Sequence, residues 1–470
     1  MTMPSQDFLF AAKQLLGPKG YSTDHERLDA HSSPWRGTYK GHTAFAAYPD
    51  SPDQVSALVR LCTEHGVAIT PQGGNTSLVD GGTPHGEIVL STARMSKIRK
   101  VDSTNNSIVV EAGAPLVSVQ DAAESADRFF PLSLGSEGTA TIGGLISTNA
   151  GGVAVLRYGM MRDLILGLEV VLPDGRIWYG LNELRKNNTG YDLKHLFAGA
   201  EGTLGIITAA SLKLFPRNQT ATAWACLEHP KAATDLLSLV RTEAGDTVTS
   251  FELVPRNAVE MVVADEQNIS DPLPHPSDWR VLIEISMTDA DHAHGVLQSA
   301  LEKAFETGLV VDAAVAANQG QANSFWRIRE TIPLSKRAFG TAISHDVSVP
   351  VSAIPDFLKA THAALDDRLP GIEIVAFGHV GDGNLHYSAC EAKTVSQPQL
   401  AQAEHDITEI VHRSVMSFGG SISAEHGVGR LKKAEIAELK HGPEIDMMRA
   451  IKQALDPDGI MNPGRVVDVS

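Results

Sequence analysis

The sequence predicts an α+β protein built from more than one structural unit, and three observations support this. Its 470 residues exceed what one hydrophobic core holds, because single cores stop growing near about 250–300 residues. Short strands separated by glycine fill residues 40–216, whereas strands and longer helices alternate from about residue 220. A helical stretch then precedes the C-terminal residues. We therefore predict three segments, 1–216, 217–424 and 425–470.

Strands outnumber helices in the first segment. Four runs are rich in β-branched residues and end in turn-forming residues: EIVLST, SIVVEAG, LILGLEVVLPDGRIWYG and LGIITAASLKLFP. An amphipathic helix is predicted over SPDQVSALVRLCTEHG. There Ser51 can cap the N-terminus, and Pro52 occupies the first helical position.

The second segment contains two rounds of strand, helix and strand. The first round is TAWACLEH, KAATDLLSLVRTEAG and TVTSFELVP; the second is WRVLIEISM, ADHAHGVLQSALEKAFETG and LVVDAAVAAN. This repeat predicts a ferredoxin-like sheet with helices on one face. In the third segment, AEIAELKHGPEIDMMRAIKQALDP is predicted as one helical stretch before the ending GIMNPGRV.

Charge and hydropathy exclude several classes of partner. The net charge of −17 argues against a nucleic acid or an anionic membrane surface as the main partner. The first twenty residues lack a basic region followed by an apolar stretch, so we expect no signal peptide, and no uninterrupted apolar run in the sequence reaches membrane-spanning length. We therefore expect no membrane span and a cytoplasmic location.

Three glycine-rich segments predict an extended ligand that carries a phosphate group. They are residues 71–78, 134–152 and 188–207. In the first, adjacent glycines let backbone N–H groups approach an anion, and Asn75, Thr76 and Ser77 add side-chain donors. One such motif alone is often a turn, but three indicate a long, flat cofactor that lies against the backbone. The second segment, residues 134–152, is not expected to form a stable helix, because each glycine disfavours a helix by about 1 kcal/mol relative to alanine.

The dinucleotide fingerprint G-x-G-x-x-G of nicotinamide-dependent Rossmann enzymes is absent from the sequence. A nicotinamide-dependent enzyme of that class is therefore not expected.

Two histidines flank a predicted hairpin turn. Residues 373–390 read EIVAFGHVGDGNLHYSAC, two strands around Gly381-Asp382-Gly383. His379 and His386 are separated by an odd spacing, so a continuous strand would point them to opposite faces. A turn between them can restore a common direction. Two converging imidazoles form half of a metal site, although a single histidine here would more often be structural.

The run GGSISAEHGVG supplies a carboxylate and a third histidine. Side chains of adjacent residues diverge, so we do not assign Glu425 and His426 to one ion. We predict that Glu425 completes a site of two histidines and one carboxylate, with open positions for substrate. His426 then faces the substrate as general base. Zinc is the simplest metal, and manganese or iron suits the same ligands.

Several of these motifs together resemble one flavoprotein family. They are PQGGNTSL, IGGLISTNAGG, RYGMMRDLILGLEVVLPDG, NNTGYDLKHLFAGAEGTLGIIT and LDPDGIMNPGR. The chain resembles the vanillyl-alcohol oxidase / p-cresol methylhydroxylase family, and within it the D-2-hydroxyglutarate / D-lactate dehydrogenase (glycolate oxidase-like) branch. The resemblance covers nearly the whole chain. It implies an FAD-binding domain in two parts over 1–216, a ferredoxin-like substrate (cap) domain over 217–424, and a segment 425–470 that returns to the flavin and completes the active site.

The resemblance also implies which residues hold the cofactor. The FAD-binding positions come from the glycine-rich segments, a following strand and the terminal segment: Pro71, Gly73, Gly74, Asn75, Thr76, Ser77, Ser136, Thr141, Gly144, Asn149, Gly151, Ile207 and Asn462. Covalent members commonly carry a histidine at the position of Asn75, so noncovalent FAD is expected. The same resemblance implies His379, His386 and Glu425 as metal ligands, His426 as base and Asn384 near the substrate.

The sequence departs from the pattern of the family it resembles at a residue expected to bind substrate. The segment FWRIRETIP resembles one in which an arginine binds the substrate carboxylate, and Arg329 occupies that position; an exposed helical salt bridge is the alternative. Ser344 stands where relatives commonly carry lysine. That loss weakens a contact for a second carboxylate, for which Lys336 or Arg337 are the alternatives. D-2-hydroxyglutarate, D-lactate and related D-2-hydroxy acids all stay open.

These inferences together predict an FAD-dependent, metal-assisted dehydrogenase that oxidises a D-2-hydroxy acid by hydride transfer to flavin N5. Two alternatives are a flavin oxidase that uses oxygen and a metal-dependent hydrolase without flavin chemistry. A third is a ligand-binding relative without catalysis. The expected electron acceptor is an electron-transfer flavoprotein or a quinone, and a homodimer is compatible with the sequence.

Overall fold

The computed structural model describes residues 4–34 and 40–468, which form two compact units. Unit 1 consists of the described parts of Met1–Gly152, Gly159–Arg217 and Glu425–Ser470. Unit 2 consists of Val153–Tyr158 and Asn218–Ala424. The residues after 424 thus group with the first part of the chain.

Strands and helices are numbered separately in chain order within the described ranges. The strands are β1 (Tyr21–Ser22), β2 (Ala46–Ala47), β3 (Ile69–Gln72), β4 (Ile88–Ser91), β5 (Ile98–Asp102), β6 (Ser107–Glu111), β7 (Arg128–Phe129), β8 (Ile165–Val171), β9 (Ile177–Gly180), β10 (Ile206–Lys213), β11 (Phe215–Pro216), β12 (Gln219–Leu227), β13 (Val248–Pro255), β14 (Trp279–Met287), β15 (Asp312–Val315), β16 (Ala342–Ser348), β17 (Glu373–His379) and β18 (Asn384–Cys390). The helices are α1 (Gln6–Gly20), α2 (His25–Ser32), α3 (Pro52–His65), α4 (Leu116–Ser125), α5 (Ile142–Thr148), α6 (Val155–Tyr158), α7 (Met161–Leu164), α8 (Lys194–Phe197), α9 (Pro230–Ala244), α10 (Arg256–Asp265), α11 (Ala290–Glu306), α12 (Gln319–Ala338), α13 (Ile354–Arg368), α14 (Gln397–Ser417), α15 (Lys433–Leu439) and α16 (Pro443–Leu455).

Unit 1 contains a four-stranded sheet of order β1-β2-β4-β3 and a five-stranded antiparallel sheet of order β5-β6-β10-β8-β9. In the smaller sheet β3 and β4 are parallel, and α1 and α3 contribute to the core beneath them. The predicted capping of α3 is confirmed: the Ser51 hydroxyl accepts the N–H of Gln54, and Gly66 ends the helix in a left-handed conformation. The apolar residues Ile460 and Met461 belong to the same core.

The helix α5 forms where glycine made a helix unfavourable. It contains Gly143 and Gly144. Residue 143 has to be glycine because the helix passes close to the end of β6 there. A Cβ on Gly143 would lie 2.8 Å from the Cβ of Ala112, too close for any larger residue. Tertiary packing therefore overrides helix propensity here.

The predicted ferredoxin-like arrangement of unit 2 is confirmed and extended. The order β15-β12-β14-β13 is that of two strand–helix–strand repeats in one antiparallel sheet, with α9 and α11 as the connecting helices. Strands β17, β18 and β16 continue the same sheet beyond β13. The prediction of helices on one face was wrong, because α10 and α12 cover the face that carries Trp224, Val254 and Leu282.

The predicted C-terminal helical stretch is divided into α15 and α16. Gly442 has a positive φ of 63° and Pro443 begins α16, so the chain turns between the two helices. Near the end of α16, the buried Lys452 ammonium donates to the carbonyls of Thr203 (2.7 Å) and Met461 (2.9 Å). These bonds hold the terminal residues against the earlier part of unit 1. No helix of the described residues is long and apolar enough to cross a membrane.

Candidate active site

The first glycine-rich segment is a half-buried loop that follows β3. Gly73 and Gly74 pass so close to the second segment that neither position accepts a side chain. A Cβ on Gly73 would lie 2.1 Å from Thr141 Oγ1, and one on Gly74 would lie 1.9 Å from the carbonyl oxygen of Thr139. The loop and residues 139–141 thus form one backbone-lined surface, which suits a flat ligand.

The polar side chains of this loop are partly engaged with the protein itself. The Asn75 side-chain amide donates to the carbonyls of Ala30 and Ser33, at 3.1 and 3.0 Å. Asn75 has a φ of 53°, a left-handed conformation that asparagine tolerates. The Ser77 hydroxyl accepts the N–H of Gly81 at 3.1 Å. The backbone N–H groups are therefore the main candidates for contact with a pyrophosphate.

Three buried oxygens around this surface have no hydrogen-bond partner within the described residues. They are Asn75 Oδ1, Thr141 Oγ1 and Asn462 Oδ1. Buried polar atoms are almost always paired, so an unpaired group calls for a missing partner. FAD offers hydroxyl and ring N–H donors for such acceptors. The residues present therefore fit this cofactor.

Asn462 brings the terminal segment to the same part of unit 1. Its backbone N–H donates to the carbonyl of Ile69 in β3 at 2.8 Å. Its side-chain amide donates to the carbonyls of Glu201 (2.7 Å) and Gly81 (3.0 Å). The side chain is 1% exposed, so the position of its unpaired Oδ1 is fixed.

The other predicted flavin residues lie along the same two segments and strand β10. Ser136 is half-buried in the turn before α5, and its carbonyl accepts the N–H of Ala140. Asn149 ends α5 in a left-handed conformation. Gly144 lies within α5, and Gly151 and Ile207 are buried. Pro71 lies within β3 and Thr76 is half-buried in the loop.

The histidine pair of unit 2 lies on one face of the predicted hairpin. Strands β17 and β18 are antiparallel, and Phe377 pairs with His386. Because alternate residues share a face, His379 lies on the same side as Phe377 and His386. The centroids of the two imidazole rings are 5.7 Å apart. The turn between the strands thus places both histidines on one face, although their odd spacing on a continuous strand would point them to opposite faces.

A carboxylate stands beside Nδ1 of each histidine. Glu252 in β13 is hydrogen-bonded to Nδ1 of His379, and Asp346 in β16 lies 3.7 Å from Nδ1 of His386. Metal-binding histidines commonly turn one ring nitrogen to a carboxylate, which orients the ring and directs the other nitrogen to the metal. The donor set therefore fits a metal bound through the two Nε2 atoms.

Arg329 lies in the same cluster, but its guanidinium is paired with protein groups. Its Nε donates to Glu252 Oε2 at 2.6 Å, and its guanidinium lies 4.7 Å from the ring centroid of Phe377. Burial raises the pKa of the Glu252 carboxyl, but His379 and Arg329 outweigh it and lower that pKa to about 2. Arg329 is only 6% exposed, so it is a buried ion pair and not the exposed salt bridge of the alternative.

Asn384 is placed to orient Asp346. Its side-chain amide donates to Asp346 Oδ1 at 2.8 Å and to the carbonyl of Val347 at 3.0 Å. Both bonds lie beside His386, since Asp346 pairs with His386 across β16 and β18. The geometry gives Asn384 a supporting contact to the histidine pair.

Glu425 and His426 follow directly on a segment that is bonded to β16. The N–H of Ala424 donates to the carbonyl of Asp346 at 3.3 Å. Glu425 is the next residue and begins the last part of unit 1. The Glu425 carboxylate lies 3.7 Å from Nε2 of His426, and both side chains are partly exposed.

Glu201 was missed by the sequence reasoning and holds the residues after His426. It is buried, and its carboxylate accepts the N–H groups of Val428 (2.7 Å) and Gly429 (2.9 Å). Burial raises the pKa of the Glu201 carboxyl, against the effect of these two N–H groups. Glu252 and Asp346 were missed as well. Glu252 is a lone carboxylate within the fully buried strand β13, and this pattern was the available signal. Asp346 lies in the more polar strand β16, which gave no such signal.

The sequence is similar to known protein families and to curated proteins along most of its length. Residues 216–466 match the protein family described as FAD linked oxidases, C-terminal domain, and residues 43–179 match the family described as FAD binding domain. The probable mitochondrial D-2-hydroxyglutarate dehydrogenase of Oryza sativa subsp. japonica is 37% identical over 462 residues, which cover 97% of this chain and 81% of the relative. The D-2-hydroxyglutarate dehydrogenase of Stutzerimonas stutzeri (strain A1501) is 33% identical over 457 residues, 97% of each chain.

Among solved structures, p-cresol methylhydroxylase with substrate bound aligns with a TM-score of 0.77. The alignment covers 100% of this chain and 99% of that one, at 18% sequence identity. At this identity the likeness concerns the fold, and it confirms the predicted fold class.

Proposed function

Because the chain belongs to the family of FAD-linked oxidases, we propose that it is an FAD-dependent dehydrogenase that converts a D-2-hydroxy acid to the 2-oxo acid with the help of a divalent metal. The names of the curated relatives support this substrate class. The observation that carries the metal part of the proposal is the pairing of His379 and His386 with Glu252 and Asp346.

The cofactor would be held noncovalently by the loop after β3, by residues 136–151 and by Asn462. The close contact of Gly73 and Gly74 with residues 139–141 supports this site, together with the unpaired oxygens of Thr141 and Asn462. When bound, FAD would supply a two-electron acceptor for the C2 hydrogen of the substrate, which would leave as hydride.

The metal would be bound by Nε2 of His379, Nε2 of His386 and the carboxylate of Glu425. Glu425 is supported by chain connectivity, because Ala424 before it is bonded to Asp346 and Asp346 lies beside His386. A divalent metal there would supply a Lewis acid, which would lower the pKa of the substrate 2-hydroxyl. We propose zinc, with manganese or iron as alternatives.

The chain's own residues move the proton. His426 accepts the proton of the 2-hydroxyl at Nε2, the nitrogen that faces Glu425. The electron pair left on the oxygen forms the carbonyl as the C2 hydrogen departs with its two electrons. Glu201 fixes the backbone that follows His426 through Val428 and Gly429, so the base is oriented by a buried carboxylate.

Further parts of the proposal rest on the sequence. We propose the division 1–216, 217–424 and 425–470 into FAD-binding, substrate and completing segments, and an electron-transfer flavoprotein or a quinone as electron acceptor. Cytoplasmic location stays a prediction, because the relatives include a protein named as mitochondrial. A homodimer stays a prediction as well.

An anaerobic test of the purified flavoprotein addresses the function and the base together. D- and L-2-hydroxy acids are mixed with the protein, and bleaching of the flavin absorbance is followed in the wild type and in His426→Gln. We expect bleaching with D-acids, and a rate lowered about 10²–10⁴-fold in the variant, because general base catalysis is worth about that much. The flavin content should not change.

Three results would contradict this proposal. Absence of bleaching with every hydroxy acid would exclude the dehydrogenase activity, and an unchanged rate in His426→Gln would exclude that residue as base. Peroxide formation in air at the rate of substrate oxidation would identify an oxidase instead.

A further inference from the structure

Glu201 lies in the third glycine-rich segment, in a backbone conformation that glycine usually occupies. Its φ is 50°, in the left-handed region, although it carries a side chain, and the residue is only 7% exposed. A residue in such a conformation persists only where the surrounding structure fixes it, and residues of this kind cluster at functional sites. The bonds of Glu201 through its backbone and through its carboxylate indicate which segments depend on it.

The backbone of Glu201 is bonded to two segments of the proposed flavin site. Its N–H donates to the carbonyl of Ser147 in α5 at 2.8 Å. Its carbonyl accepts the side-chain amide of Asn462 at 2.7 Å. Asn462 is the residue whose buried Oδ1 has no hydrogen-bond partner within the described residues. Pairing of that oxygen with a bound flavin would therefore fix Asn462, and through it the backbone of Glu201.

The carboxylate of Glu201 is bonded to residues 425–430, which we call the base loop because they include His426. Oε1 accepts the N–H of Val428 at 2.7 Å, and Oε2 accepts the N–H of Gly429 at 2.9 Å. A Cβ on Gly427 would lie 2.8 Å from Oε1, so the carboxylate also lies directly against the residue that follows His426. One side chain thus uses both of its oxygens to hold the base loop.

The base loop needs such bonds to keep one conformation. Gly427 and Gly429 have positive φ values of 83° and 54°, and glycine loses more conformational freedom on ordering than any other residue. Arg430 donates its N–H to the carbonyl of Val79 at 3.1 Å, and the Gly429 carbonyl accepts the N–H of Val466 at 3.2 Å. The Glu201 carboxylate adds the two bonds at residues 428 and 429, and it is itself bonded through its backbone to the flavin site.

We propose that Glu201 is a positioning residue that couples the flavin site to the base. A bound flavin fixes Asn462 and Glu201, and the Glu201 carboxylate then holds the base loop with His426 oriented for proton transfer; the role of His426 rests on the proposed function. The coupling is reciprocal, because whatever orders the base loop also strengthens flavin binding by the same factor. The base is thereby assembled only when the flavin is in place.

The variant Glu201→Gln tests this link without a change in side-chain size. Glutamine offers one oxygen, whereas its NH₂ group is itself a donor. It can therefore accept only one of the two N–H groups, and the other N–H faces a second donor. Glu169→Gln is the matched control, because Glu169 is another buried carboxylate of unit 1, 5% exposed, and it is bonded to Arg99 and Thr208 instead of the base loop.

Hydrogen–deuterium exchange of the full chain with and without FAD measures the coupling without any substrate. Peptides that span residues 426–432 report the amides of Val428 and Gly429. We expect FAD to slow their exchange about 5–150-fold in the wild type and in Glu169→Gln, the usual range of coupling between two sites. In Glu201→Gln the difference should fall below about threefold, and FAD binding, followed by flavin fluorescence, should weaken by a similar factor because the coupling is reciprocal.

Anaerobic flavin reduction at saturating FAD tests whether Glu201 acts through the base. We expect Glu201→Gln to lower the limiting rate about 10–100-fold, because a misplacement of about 1 Å can cost a hundredfold, and to leave the substrate dissociation constant nearly unchanged. In a His426→Gln background, Glu201→Gln should cause no further loss, since two residues that act as one unit are not additive. If Glu201→Gln does not fold, Glu201→Asp takes its place, because it keeps both oxygens but shortens their reach.

The inference is overturned if FAD protects the base loop equally in Glu201→Gln and in the wild type. It is also overturned if Glu201→Gln slows the His426→Gln enzyme by as much as it slows the wild type. Failure of the proposed function is distinguishable from both results. In that case no hydroxy acid bleaches the flavin of the wild type, while exchange and FAD affinity still compare Glu201→Gln with Glu169→Gln.

Discussion

At the scale of single residues, the histidine pair depends on carboxylates from other strands. Glu252, which holds His379, is 127 residues away from it in the chain. The second Glu252 oxygen binds Arg329, so one buried carboxylate joins a proposed metal ligand to the predicted substrate arginine. In this structure Arg329 orients Glu252, which is a positioning role.

Glu252→Gln should weaken metal binding about 10–100-fold, the usual effect of losing a partner of a metal-binding histidine. The glutamine keeps the size of the side chain, but it removes the charge that orients His379. The measurement is titration of chelator-treated protein with zinc. Glu284→Gln is the matched control, because Glu284 is a half-buried carboxylate on the neighbouring strand β14 that accepts a hydrogen bond from Trp326.

The residue-scale prediction is wrong if Glu252→Gln binds zinc as tightly as Glu284→Gln does. Unfolding curves of both variants separate loss of the site from loss of the fold. A buried carboxylate that loses its charge leaves Arg329 unpaired, so some destabilisation of Glu252→Gln is expected as well.

At the scale of elements, the loop after β3 and the turn before α5 act as one surface. Gly74 approaches the carbonyl oxygen of Thr139, and this is an atom of the backbone, which cannot rotate away. The glycines predicted to cradle a phosphate thus have a second reason to be glycine. They let two segments of unit 1 meet without a gap.

Gly74→Ala should weaken FAD binding, because forcing extra volume into a packed region costs about 1–3 kcal/mol unless the loop moves away. The displaced loop no longer offers its N–H groups in the same place. Binding of FAD to deflavinated protein, followed by quenching of flavin fluorescence, measures this. Gly138→Ala serves as control, since an added Cβ there meets no atom within 4 Å. Equal affinities of the two variants would refute the proposed cradle.

At the scale of the whole molecule, the two proposed cofactors depend on different ligand residues. The glycine-rich loop, Thr141 and Asn462 belong to unit 1, whereas His379 and His386 belong to unit 2. The two sites should therefore respond separately to treatments that remove one cofactor.

Treatment with a chelator should stop flavin reduction by the substrate without releasing FAD. Loss of a Lewis acid worth several kcal/mol predicts a rate lowered about a hundredfold or more. Anaerobic bleaching measures the rate, the absorbance ratio of flavin to protein measures the retained FAD, and added zinc or manganese should restore activity. In His379→Ala the chelator should have no further effect. A chelated wild type that bleaches at the untreated rate would exclude metal assistance.

The sequence by itself determined the features that depend on local pattern. Short apolar runs that are rich in β-branched residues and end in turn-forming residues predicted the strands. The repeat of strand, helix and strand predicted the ferredoxin-like order of β12 to β15. The turn between β17 and β18 could be predicted because glycine spacing encodes it. The capping of α3 by Ser51 is local for the same reason.

Only the tertiary structure decided which distant residues meet. Nothing local in the sequence relates Glu252 to His379, or Lys336 to Ser388, because strand order and helix placement arise from burial of apolar surface across the whole unit. Helix α5 formed despite its glycines for the same reason, since close packing on Ala112 outweighs local propensity. The sequence therefore indicated the kind of chemistry, and packing selected the carboxylates that support it.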